Sequence, residues 1–421
     1  MRIRRILFEK IQARFFYGWG IVAVATLIMF CSGPGQSHTF SVFVDLIAAD
    51  LDISKSFIAS SYGLATLFAA LGLTRMGAFV DRYGPRKVLI VVSILLGIAC
   101  IIFGAAAGII TLSLGFMVLR FLGQGSMMLG ATNLVAQWFS NKRGTAMSIV
   151  MLGFGASIAF HPALAQWLID LVGWRQTWIW FGVLTWVLML PLLWLIANDK
   201  PESLGLYPDG VSPNKTQYNV IGETQVGLKL HSALKTPAFY IIGIGLFVPA
   251  MLVTSLFFFQ VSIFEQQGLT SSLATKMFSI SALFMALAMP LVGRTLDKTD
   301  PKYVFSANLF LLSILLVGIT YVTDTTTAIV YAVCFGILNA GNMTLFGFLW
   351  ANYFGRKHLG SIQGVGQTIG VIGASLGPLP LGVAYDIFGT YNGALYLLAI
   401  LPVVCGIAVL FLVAPDLTTD D

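Results

Sequence analysis

Charge is scarce in this sequence. Of its 421 residues only 10% are Asp, Glu, Lys or Arg, while 57% are hydrophobic; a water-soluble globular chain carries about a quarter charged residues. That shortage excludes an ordinary soluble fold. Cysteine is as rare, and Cys31, Cys100, Cys334 and Cys405 stand in apolar segments without CxxC spacing. A disulfide framework and a cysteine-held metal are thereby excluded, and the four read as small buried hydrophobes. No Ser/His/Asp, metal-ligating or phosphate-cradling constellation occurs, so neither an embedded enzyme nor a cofactor is expected. Long polar runs are missing except for the proline-broken interval 198–236, which leaves no room for the signalling domain that a membrane-bound receptor or sensor would need.

What the sequence has is apolar length. With no water in a bilayer core, every backbone polar group must be satisfied internally, and long apolar runs without ten-residue alternation mean helices. The runs predict spans at 17–45, 54–79, 87–107, 109–138, 142–170, 176–197, 237–265, 271–293, 303–323, 326–354, 358–386 and 391–414. Each has about 20 or more residues, enough to cross hydrocarbon.

The cations orient these spans. The net charge of +6 does not mark a nucleic-acid binder, because its positions follow the loops. With both termini and the 198–236 interval in the cytoplasm, only Lys55, Arg175 and Lys276 of the 24 Lys and Arg fall outside, and Arg120 lies within the membrane. This is the positive-inside pattern. It predicts a multi-pass protein of the cell inner membrane with cytoplasmic termini. The short basic N-terminus has no small-residue cleavage site, so the first apolar segment is expected to be retained.

The second half repeats the first at an offset of 216 residues. Gly77, Asp81 and Arg82 recur as Gly293, Asp297 and Lys298; Pro162 recurs as Pro378; Asp170 and Gly173 recur as Asp386 and Gly389. One register across three helices is the mark of duplication. We therefore expect an all-α membrane protein of twelve transmembrane helices in two pseudo-symmetric six-helix bundles. The bundles are 1–197 and 237–421, with 198–236 a cytoplasmic linker. A parallel repeat of this kind places a solute between its halves, and 43 glycines, many in small-xxx-small spacing, suit helices that pivot closely. The expected partners are a small-molecule substrate, protons and the lipid bilayer, with the chain a monomer.

Candidate functional residues follow. The segment Gly77-Ala-Phe-Val-Asp81-Arg82-Tyr-Gly84-Pro-Arg86-Lys87 sets a carboxylate beside three cations at a tight turn. Gly77, Asp81, Arg82 and Arg86, with the copies Gly293 and Asp297, read as a conformational gate in which Asp81 holds a charge network. This pattern, with the span count and the two-fold repeat, resembles the major facilitator superfamily over nearly the whole chain. Tyr17-Gly18-Trp19-Gly20 and Trp138-Phe139-Ser140-Asn141-Lys142-Arg143-Gly144 resemble the signatures of its monocarboxylate transporter branch and oxalate/formate antiporter relatives. The resemblance implies a secondary active transporter moving small organic anions by alternating access, with proton symport or anion exchange. Members of the branch commonly carry an arginine in helix eight; here 271–291 offers only Lys276, near its outer end, so that site is not carried over.

Arg120 takes its place as the main counter-charge. Counted down helix four it lies roughly 16 Å deep at 1.5 Å per residue, and an arginine at such depth is a functional-site candidate. The run Gly33-Pro34-Gly35-Gln36-Ser37-His38 frees carbonyls in helix one, which points to Gln36 and His38 as cavity lining. His161, before Pro162 in helix five, is the other titratable group at depth. No carboxylate lies deep, so histidine or the substrate must carry any coupled proton. The amides Asn133, Gln260, Asn339, Asn342 and Gln367 complete the substrate-binding set. Amides serve a carboxylate or a heterocycle equally, which leaves a neutral or amphipathic solute, such as a vitamin or drug-like molecule, as the alternative.

Overall fold

The computed structural model describes residues 8–211 and 227–417; of the linker, 212–226 lie outside the described residues. The described residues are helical, with one isolated bridge, Gly227 to Gly355, and no strand. Ten helices among them are long and apolar enough to cross a membrane. One of these, Arg143–Leu195, is two spans in sequence, because Gly173 inside it leaves the helical region at φ 80, ψ 162. Counting it twice and adding the broken first span gives twelve. The duplicate glycine, Gly389, also has positive φ (67), the backbone region in which a Cβ is disfavoured. Large apolar side chains such as Ile110, Ile314 and Phe388 are exposed, as a lipid-facing exterior requires.

The first span departs from the single helix expected over 17–45. Gly18–Cys31 is regular, but Gly33–Gly35 tightens into a 3-10 turn and Gln36 is extended (φ −104, ψ 149). A four-residue helix, Ser37–Phe40, follows, then a 3-10 turn and Val44–Leu51. Pro34 has no N–H to donate, and the extended Gln36 ends the ladder altogether. The carbonyl of Gly35 is left pointing away from its own helix.

The fourth span, Ile109–Trp138, is also irregular. Arg120–Ser126 winds as a π-helix, a wider turn that recurs at functional sites. Here it lets the first span in: a Cβ on Gly35 would lie 2.6 Å from the Gly123 Cα, and one on Gly123 would lie 2.7 Å from the Gly35 Cα.

Two compact units partition the chain. The first comprises Met1–Lys229 with Gly355–Thr368, and the second Leu230–Phe354 with Ile369–Asp421. In the first, Phe43, Phe103, Phe116, Trp178 and Phe181 form a buried ring cluster behind the break in the first span. The second has a core of Leu252, Phe264, Leu312, Leu316, Tyr331 and Phe335, among others.

Candidate functional site

Arg120 sits inside the first unit, facing protein and not lipid, with 7% of its surface exposed. Its Nε donates to Thr66 Oγ1 at 3.1 Å. Its Nη1 donates to the freed Gly35 carbonyl at 3.1 Å and to Ser37 Oγ at 3.3 Å. The guanidinium carbon lies 5.0 Å from the centre of the Tyr62 ring, whose hydroxyl donates to Ser37 Oγ at 2.9 Å. All these acceptors are neutral. An arginine has five N–H donors, Nη2 makes none of these bonds, and among the described residues no carboxylate pairs with the group. A cavity of ≈ 10 Å³ borders it, lined in part by Pro34, Gly35, Gln36, Tyr62 and Trp178. The buried indole N–H of Trp178 also has no acceptor. The space holds about one water molecule, so a larger guest requires the surrounding helices to part.

Two histidines lie beside this centre. His38 Nε2 is 3.1 Å from Ser157 Oγ, and the same oxygen is 3.1 Å from His161 Nδ1. Gly33 makes room for the second ring, because a Cβ there would meet its carbons. Of the two expected lining residues, Gln36 borders this cavity and its Nε2 donates to Ser32 Oγ at 3.2 Å, while His38 is not among the residues that line it. Arg120, Gln36, His38 and His161 are thus brought together by the break in the first span. Thr66, Tyr62, Ser157 and Trp178 join them, and none of these four stands out in its local sequence.

The amides divide otherwise. In the first unit the start of the eleventh span runs against the fourth: Gln137 Nε2 donates to the Arg356 carbonyl at 3.0 Å, and Gln367 Nε2 to Met128 Sδ at 3.6 Å. This antiparallel register sets Asn133 level with Gln363. Asn133 Nδ2, both amide atoms of Gln363 and Gln367 Oε1 are buried without partners. The candidates of the second unit tie helices to one another. Gln260 Nε2 donates to the Ala274 carbonyl at 3.2 Å, and Asn308 Nδ2 to Asn342 Oδ1 at 2.6 Å. Asn339 bonds back to Phe335 in its own helix. Asn339 and Asn342, three apart, do not converge on one acceptor.

At the turn after the second span, Asp81 bonds the start of the eleventh span. Its carboxylate accepts from Gly360 N at 2.6 Å, Ser361 N at 2.7 Å and Ser361 Oγ at 2.6 Å, with His358 a further electrostatic neighbour. The reason is physical: the first turn of a helix presents unpaired N–H groups and the positive end of its dipole, and these meet a carboxylate as well as a lysine would. Gly77 permits the approach, since a Cβ there would strike the Gly360 carbonyl. Arg82 lies over the Tyr83 ring at 5.3 Å. Arg86 turns to the end of the sixth span: its backbone N–H donates to Asp199 Oδ1 at 2.7 Å, and its side chain to the carbonyls of Leu193 and Trp194. In the second unit, Gly293 is buried and Asp297 half-buried on Ser271–Lys298.

The family model described as Major Facilitator Superfamily matches residues 25–378 and 242–420. The chain belongs to the major facilitator superfamily. It is a transporter and not an enzyme. Among superfamily relatives it is 24% identical over 378 residues to an uncharacterized 38 kDa protein of Thermoproteus tenax, covering 88% of this chain and 90% of that one. It is 24% identical over 398 residues to human monocarboxylate transporter 2, covering 89% and 81%. A human organic anion transporter (TETRAN) of solved structure has the same superfamily fold, with a TM-score of 0.71 and 14% identity over 93% of this chain and 99% of that one.

Proposed function

We propose that this superfamily member moves a small, monocarboxylate-like organic anion across the cell inner membrane by alternating access, with Arg120 as its counter-charge and both termini in the cytoplasm. The carrying observation is the buried guanidinium whose bonds all go to neutral oxygens. A charge in such surroundings is costly until a counter-ion arrives, and a carboxylate is the acceptor whose geometry fits an Arg fork. Trp178, which lines the same cavity, has a buried indole N–H with no acceptor among the described residues. The names of two relatives, a monocarboxylate transporter and an organic anion transporter, agree with this reading.

A neutral or amphipathic solute is the second reading, and the unpartnered amide atoms Asn133 Nδ2, Gln363 Nε2 and Oε1, and Gln367 Oε1 favour it. A counterflow panel in proteoliposomes separates the two. Exchange of lactate-like acids but not of uncharged heterocycles supports the anion; the reverse pattern supports the neutral solute and removes Arg120 from the substrate site.

A further inference from the structure

We infer that His38, Ser157 and His161 form a one-proton site that is coupled to the anion site through the break in the first span. The coupling rests on the anion reading; the proton site itself does not. The serine hydroxyl lies 3.1 Å from a ring nitrogen of each histidine, and the ring centres are 6.5 Å apart. Ser157 is fully buried and His161 is 5% exposed, while His38 is half-buried, so the Ser157–His161 end of the bridge is the end shielded from competing water.

A hydroxyl has one hydrogen and two lone pairs. Between two imidazoles it accepts an N–H from one ring while donating to the other; His161 Nδ1 also lies 3.3 Å from the Ser157 backbone carbonyl, which can only accept, so Nδ1 takes the hydroxyl's hydrogen only when that contact is given up. When His38 is the charged ring, its Nε2–H proton passes to Ser157 Oγ as the hydroxyl's own hydrogen passes to an unprotonated His161 Nδ1. One N–H and one O–H bond break, one O–H and one N–H form, and the positive charge moves from His38 to His161 with no atom gained or lost. A second proton would set two cations on rings 6.5 Å apart in a low-dielectric interior, where like charges repel by several kcal/mol at an effective dielectric of about 20 or below.

Among the described side chains, Arg120 and Tyr62 reach the segment of His38 through Ser37, and Cys31 stands two residues before the Gly33 that packs on the His161 ring; Asp170, nine residues on from His161, accepts from Gln166 Nε2. Asp50 and Arg175 pair with each other at 2.7 Å in exposed positions. Arg120 binds Gly35 and Ser37, and His38 is the next residue. An anion that neutralises Arg120 therefore removes the cation facing the pair and frees the segment that carries His38. Linkage makes this reciprocal: the anion favours the proton and the proton favours the anion, one of each per cycle.

Two measurements on the full chain decide the inference. The first needs no anion: 15N NMR of histidine-labelled protein in nanodiscs, with His231 and His358 assigned by single replacement. One proton taken up by the two rings together, and separate titrations in S157A, are expected; two independent protons in the wild type, or none, overturn the site. The second compares pH-gradient-driven accumulation with counterflow of the same monocarboxylate. In S157A accumulation is expected to fall at least tenfold more than counterflow; equal losses, or no loss, overturn the coupling. Absence of counterflow for every acid in the wild type overturns the anion reading and the coupling with it, while the NMR result still decides the proton site.

Discussion

At the scale of single residues, the account turns on Arg120. A hydrogen bond to a charged group is worth about 1.5–3 kcal/mol, so Arg120→Ala is expected to weaken anion uptake about 10–100-fold or more, with the purified protein still folded by size exclusion. Near-normal uptake by that variant would remove the anion argument. Tyr62→Phe keeps the ring under the guanidinium and deletes only the hydroxyl that donates to Ser37; uptake should fall by less than tenfold. Arg120 was legible in the sequence because it is a lone cation in an apolar run. Its partners were not. Hydroxyls in these helices commonly bond their own preceding turn, as Thr26 does to Val22 and Ser93 to Leu89. Thr66 does the same to Tyr62, and nothing in the local sequence tells that it also accepts from another span, or that Ser157 bridges two histidines.

At the scale of elements, the break at Gln36 and the π-turn at Arg120 fit each other because Gly35 and Gly123 meet without side chains. Gly35→Ala and Gly123→Ala should each force the first and fourth spans apart and cost about 1–3 kcal/mol, as overpacking does. Thermal unfolding in detergent would register this as a lower midpoint, together with slower uptake; an unchanged midpoint would show that the contact is dispensable. Pro34 and its glycines announced the weak point in the sequence. The extent of the break was not announced, because it depends on Arg120 taking up the Gly35 carbonyl from a distant span. Asp81→Asn keeps the shape of the carboxylate and removes its charge, so one oxygen must serve three donors. A loss of about 1–2 kcal/mol is expected from the charge and dipole terms, again read as a lower unfolding midpoint, and Asp81→Ala should lose more. The motif pointed to Asp81; its partner, the start of the eleventh span, lies 279 residues away and carries no sign in the sequence of whose donors it offers.

At the scale of the whole molecule, duplication was readable from offsets alone, and shared positive φ at Gly173 and Gly389 shows the copies keeping the same special backbone position. The copies then diverge where function is concentrated. Arg120 corresponds to Gly336, where a Cβ would strike the Ser281 carbonyl; His161 corresponds to Gly377, where one would lie 2.6 Å from the Met251 carbonyl. One unit therefore holds a charge and a titratable ring at the positions where the other holds close helix contacts. The central claim is that the substrate is recognised by its negative charge. Counterflow of a monocarboxylate beside its own primary amide, nearly equal in size and shape, tests this most directly in wild-type proteoliposomes: the account predicts that the acid exchanges and the amide does not, and an amide that exchanges as fast as the acid contradicts it.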